Sequence, residues 1–297
     1  MGVTFALLSM VCFASNILIS RHAMARMPVD SGFFIVLGTN IVAGLVLFGA
    51  ELMVRTTPFV FQWKESGLFI VGGTIGAFLG RRLLFDTVRL LGPARTSVFH
   101  SCAPVPTLVF AWVIVGETLG WYELALMAVV LAGLWITHPP QRDDTISRAD
   151  RATLRRGMVF GLLTITGFGA SNALRGLAMR SWNEAIFGAL LGGTAAFLMQ
   201  VLITRDWGRI AEGFRKGGRA GVLLYFASGL ATMGGAILII TAMNYMEIAL
   251  ATLITHTTPL VVFPVSLVLY RNREGLTPRT VAGVLLVLLG IALLALR

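Results

Sequence analysis

The chain has 297 residues, of which 56% are hydrophobic and 13% charged, with a mean hydropathy of +0.82 and a formal net charge of +10. That composition excludes a disordered chain, a collagen-like fibre, a disulfide scaffold and an ordinary soluble enzyme, because a soluble domain of this size needs charge to cover its outside. The basic excess does not point to nucleic acid: 22 of the 24 basic residues are Arg, scattered singly or in pairs at the ends of apolar runs, where orientation in a bilayer accounts for them.

Apolar windows recur at residues 2–20, 31–54, 67–90, 93–115, 121–138, 157–178, 183–204, 219–243, 247–270 and 277–296. At about 20 residues per span, this predicts an all-α polytopic membrane protein with ten transmembrane helices. The first run opens on Thr4, Phe5, Ala6 and Leu7 with neither a basic n-region nor a small-residue cleavage site, so it reads as a retained span. Arg81, Arg82, Asp86 and Arg89 interrupt the third window and leave room for that helix to end near Gly80. The two cysteines, Cys12 and Cys102, lie inside apolar runs and form no CxxC or Cys/His metal spacing.

The longest polar stretch divides the chain into a first five-helix unit at 1–138, a linker at 139–156 and a second unit at 157–297. Sliding the second half back by about 155 residues superposes Ala14, Ser15 and Asn16 on Ala170, Ser171 and Asn172. The same register superposes Gly38 on Gly192, Gly80 on Gly235, Ala94 on Ala249, Pro104 on Pro259, Glu117 on Glu274 and Gly133 on Gly290. A unit of five helices is odd in number, so its second copy enters the membrane upside down. The expected architecture is two inverted five-helix repeats, the usual plan of secondary transporters. Of the Lys and Arg residues, 19 flank the connections after helices 1, 3, 5, 7 and 9, and 5 lie on the opposite face. Both termini are therefore expected outside the cytoplasm.

Asn16 and Asn172 are the leading site candidates, each preceded by a serine (Ser15, Ser171), because an amide inside a span is costly unless it faces protein or a wet cavity. Asn172 and Arg175 share one helix face at i, i+3. The competing reading makes the amides glue between neighbouring helices. Pro104 and Pro259 each remove a helical hydrogen bond and free the carbonyl four residues earlier, at His100 and Thr255. With His256 beside Thr255, these groups could accept hydrogen bonds from an ammonium, and the two prolines serve as hinges. Arg82 and Asp86 at i, i+4 form either an interfacial anchor or a gate. Tyr225, with Ser228, Gly229 and Thr232, is a further candidate wall. Trp63, Trp121, Tyr122, Trp182, Trp207 and Tyr270 sit at span ends and read as an aromatic belt without a ligand role.

The sequence carries no Walker loop, GxSxG elbow, HExxH or metal cluster, so no enzyme activity and no cofactor is expected. Asp86, Glu117, Glu247 and Glu274 lie near span ends. No mid-membrane acid stands ready to carry a proton, and downhill facilitation is the simpler expectation.

Taken together, the paired asparagines, Pro104 followed by Gly116, Glu117 and Thr118, Pro259 followed by Arg273, Glu274 and Gly275, and Gly133 and Gly290 resemble the drug/metabolite transporter superfamily, in its ten-helix EamA-type branch. The resemblance covers the whole chain, and in length and layout the chain is similar to bacterial exporters of aromatic and other amphipathic amino acids. It implies a multi-pass protein of the bacterial inner membrane, acting as a monomer among lipids and moving Phe, Trp, Met or Thr by alternating access. Asn16, Asn172 and the freed carbonyls would hold the polar end of the cargo, Arg175 its carboxylate, and Phe and Met side chains its apolar end. Small multidrug relatives depend on a Glu in the first helix, where this chain has Asn16, which argues against cationic-drug antiport by that route. The alternatives are export of other metabolites or drugs, or a membrane sensor or assembly partner.

Overall fold

The structure, a computed structural model, describes residues 1–91, 102–137, 148–258, 260–262, 265 and 278–295. With no water to satisfy backbone groups in lipid, apolar runs close their hydrogen bonds internally as helices. In chain order these are α1 (Gly2–Met24), α2 (Val29–Val54), α3 (Trp63–Gly73, continuing through Arg81–Leu91), α4 (Pro104–Phe110, continuing to Val115), α5 (Trp121–Thr137), α6 (Arg148–Ser181), α7 (Ala185–Ile203), α8 (Trp207–Ala242), α9 (Ile248–Thr255) and α10 (Pro278–Ala295). Six of them are long and apolar enough to cross a membrane on their own measure. Large apolar side chains such as Leu45, Val46, Leu285 and Leu289 stand more than half exposed, a surface suited to acyl chains and not to water.

Three of the boundaries that differ from the sequence reading involve charged or π-helical stretches. α3 does not end near Gly80: it passes through a π-helical stretch, Thr74–Gly80, and runs on to Leu91. α6 begins at Arg148, inside the polar segment. α8 begins at Trp207 and breaks at Gly218, whose φ of 58° is open to glycine at little cost. The piece before the break carries Arg209, Glu212, Arg215 and Lys216, which hide it from a hydropathy window. Asp206 caps its start by accepting from the Arg209 N–H at 2.9 Å.

The two halves pack as inverted repeats. α1 lies on α8 as α6 lies on α3; α2 meets α8 as α7 meets α3; α1 meets α9 as α6 meets α4. The remaining principal pairs, α2 with α7, α4 with α9 and α5 with α10, join each helix to its own counterpart. The last of these shows a reciprocal contact. A Cβ on Gly133 would stand 2.7 Å from Val287, and one on Gly290 would stand 2.5 Å from Val130, the register mate of Val287. Contact of i with j and of j with i is the mark of a two-fold arrangement. Between α3 and α7 the backbones touch directly, a Cβ on Gly73 falling 2.2 Å from the Gly192 Cα. Small residues permit such crossings where van der Waals packing drives helix association in lipid.

Trp182 is not part of an aromatic belt. It is 5% exposed and sits among Phe59, Phe61, Phe69 and Phe187, donating from Nε1 to the Val60 carbonyl at 3.1 Å. Trp63 and Trp121 are exposed, at 85% and 88%. Tyr270 lies outside the described residues.

Candidate functional site

The first asparagine is bound up with α8. Asn16 donates from Nδ2 to the Ser228 carbonyl at 3.1 Å and to Thr232 Oγ1, and accepts at Oδ1 from Ser20 Oγ at 3.2 Å. Ser20 and Ser228 also share a hydroxyl hydrogen bond at 2.9 Å, and Ser9 donates to the Gly235 carbonyl at 2.8 Å. All these groups are neutral and matched, and Asn16 stays half-buried, with Ser15 half-buried beside it.

The second asparagine turns to α9. Asn172 donates from Nδ2 to Thr252 Oγ1 at 3.3 Å, while Ser171 donates to the Gly72 carbonyl of α3 at 2.6 Å. One turn further along α6, the stem of Arg175 crosses Gly72. Its Nη2 lies 3.9 and 3.7 Å from where a Cβ would stand on Gly76 and Gly192. Arg81, the first residue after the π stretch, holds its guanidinium 6.0 Å from the centroid of the Phe33 ring. The two positive groups are near enough to repel each other, and protein surrounds most of each. Each nonetheless keeps accessible surface. Among the described residues neither forms an ion pair. A guanidinium at a helix centre costs about 2.5–3.5 kcal/mol to insert. Leaving two of them uncompensated inside a bundle favours a negative charge arriving from outside it.

α4 and α9 share an interruption. The chain turns at Cys102–Ala103 and enters α4 at Pro104, whose missing N–H is no loss at a first helical position. α9 stops at Thr255 and turns through 256–258 before a short helical segment at 260–262. The Thr255 hydroxyl donates to the Ala6 carbonyl at 3.5 Å, and His256 is half-buried. Pro104 thus stands at the start of α4. His100 and Pro259 lie outside the described residues.

Tyr225 packs on the α1–α2 connection. Its ring fills the hollow over Gly32, where a Cβ would come within 2.1 Å of it, and its hydroxyl donates to the Met27 carbonyl at 3.4 Å. It closes the α1–α2 connection against α8. On α3, Arg82 is exposed and Asp86 half-buried.

A set of charges at the opposite end escaped the sequence reading. Gly116, left-handed at φ 75°, ends α4 and turns Glu117 back into the protein. Glu117, 5% exposed, accepts from Arg180 Nη2 at 2.6 Å and from the Ile248 N–H, the first of α9, at 3.0 and 3.1 Å to its two oxygens. Arg55 pairs with Glu184, and Ser181 donates to Glu65 at 3.1 Å. The Glu184 hydrogen bond raises the Arg55 pKa above its ordinary value. These contacts tie α2, α3, α4, α6, α7 and α9 together at one face. The Gly-Glu pair after an apolar run was the signal for this cluster, but its partners come from distant loops that spacing does not reveal.

Among the described residues no group of three or more His, Cys, Asp or Glu could hold a metal. Comparison with known proteins accords with this geometry. The EamA-like transporter family matches residues 1–138 and 155–296. No curated protein matches the chain by sequence. A solved protein, known only as "Crystal structure of protein", aligns over 99% of this chain and 96% of its own at a TM-score of 0.73. At 15% identity the likeness concerns the fold alone.

Proposed function

Because the chain belongs to the EamA-like transporter family, and is thus a multi-pass membrane transporter of small molecules and not an enzyme, we propose that it exports amino acids with aromatic or amphipathic side chains, or facilitates their passage. The observation that carries this reading is the face of α6 bearing Asn172 and Arg175, an amide beside a guanidinium that has no ion pair among the described residues. Arg175 binds the cargo's carboxylate through a charge-assisted, bidentate hydrogen bond. Asn172 and Asn16, from the register-matched helices, line the polar path. Thr255 and His256, at the interrupted end of α9, line it as well, and the paired breaks at Pro104 and in the turn after Thr255 let α4 and α9 flex between two access states. His100 and Pro259 join the same path by register alone. Tyr225 belongs to the closing contact at one mouth, and Arg82 with Asp86 to the rim of the same mouth.

The protein acts as a monomer in the bacterial inner membrane, with both termini on the non-cytoplasmic side by Lys and Arg bias. Counterflow into proteoliposomes tests the reading. Preloaded cold phenylalanine should stimulate uptake of labelled phenylalanine. Stimulation by other metabolites or drugs alone would move the cargo elsewhere. Absence of counterflow with any solute would leave a sensor or assembly partner.

A further inference from the structure

We infer that the preferred cargo is an organic anion, a carboxylate with an apolar body and no ammonium, held jointly by Arg175 and Arg81 on the two sides of the π-helical stretch of α3. The inference rests on the transport reading above and shifts the preferred cargo from the zwitterionic amino acid to the corresponding anion.

Arg175 reaches this point from α6 across a floor of glycines. A side chain at Gly76 would strike Ser171 Oγ, 2.3 Å from the Cβ position, so glycine there lets α6 pack close to the π stretch and brings the Arg175 guanidinium against it. Arg81 approaches from α3 itself, where the π stretch shifts the register of the helix just before it. Its Cζ lies over the Phe33 ring at 6.0 Å from the centroid, and a guanidinium so placed still has N–H groups to donate to an acid. Phe33 belongs to an apolar cluster with Leu37, Phe78 and Ala196, which offers a wall for the rest of the solute.

Buried carboxylates that might balance the two arginines are engaged elsewhere: Glu65 with Ser181, Glu117 with Arg180 and Ile248, Glu184 with Arg55. A zwitterion would carry its ammonium into a site with two cations and no carboxylate paired to either among the described residues. An acid whose amine is acylated or absent meets attraction only.

The test is a charge series on one scaffold, using the full chain in proteoliposomes: phenylalanine, N-acetylphenylalanine and phenylalanine amide, each as labelled and as cold counterflow substrate. N-acetylphenylalanine should half-saturate at a concentration about tenfold lower than phenylalanine, with the amide inert. Arg81→Gln should bring the two acids within about twofold of each other, whereas Arg81→Lys, which keeps the charge, should retain the preference. Phenylalanine moving as well as or better than its acetyl derivative would overturn the anion inference and leave amino-acid export intact. N-acetylphenylalanine moving alone would support the inference and remove the amino-acid reading. Counterflow by neither would overturn both. The wild-type series decides the matter even where a variant fails to insert.

Discussion

The interface of α1 with α8 and that of α6 with α3 are counterparts in the repeat, yet their chemistry differs. Asn16, Ser20, Ser228 and Thr232 answer one another, donor to acceptor, and bring no net charge into the membrane. Across the pseudo-two-fold, Ser171 and Asn172 send their hydrogen bonds to different helices, and Arg175 and Arg81 stand without ion pairs among the described residues. A repeat fixes where helices cross, while the residues at each crossing decide whether it is sealed or left with unmet charge. Here the polar groups of the first interface are met within it, and the second keeps two guanidinia without ion pairs among the described residues.

The largest effect should come from the charged side of this contrast. Arg175→Gln is expected to raise the half-saturating concentration for phenylalanine counterflow by about 10- to 100-fold, and an unchanged value would erase the distinction between the two interfaces. Glu117→Ala leaves Arg180 and the Ile248 N–H without their acceptor and should cost about 2 kcal/mol, read by thermal unfolding in detergent. A neutral result would show that this cluster does not hold the helix ends together. Gly133→Val and Gly290→Val should each cost about 1–3 kcal/mol by overpacking. Their costs should be similar, since each glycine faces the other's register-mate valine, and a large inequality would break the reciprocity. Asn16→Ala and Asn172→Ala should slow counterflow about fivefold, the worth of one hydrogen bond near 1 kcal/mol, without abolishing insertion. Wild-type rates in both would remove the asparagines from the path. The smallest effect is none at all: collapsing the proton gradient should leave net transport into vesicles unchanged, and a strict requirement for the gradient would discard facilitation.

Much of the fold was legible because bilayer physics leaves few options. Apolar runs of span length must be helices, and Gly133 with Gly290 in one register announced the inverted pair before their contact with Val287 and Val130 was visible. The misplaced boundaries have specific causes. The π stretch at Thr74–Gly80 leaves no hydropathy trace, and Arg81 and Arg82 beyond it looked like the end of a span. The piece of α8 before Gly218 is amphipathic, so its charges resembled a loop. The candidate site was legible only in part. Spacing put Arg175 on one face of α6 with Asn172, but not among Gly72, Gly76 and Gly192, because those neighbours come from α3 and α7 and no spacing along α6 names them. Tyr225 read as a cavity wall from its lone place in α8, but Gly32 gives its ring a different socket.

The account turns on whether Arg175 faces a compartment that water and solute can enter. With Cys12 and Cys102 replaced by alanine, Arg175→Cys should react with a membrane-impermeant thiol reagent from one side of the membrane, and cold phenylalanine or N-acetylphenylalanine supplied at saturation should slow that reaction. A cysteine there that stays inert from both sides, while one placed at an exposed position such as Arg82 is modified, would contradict it.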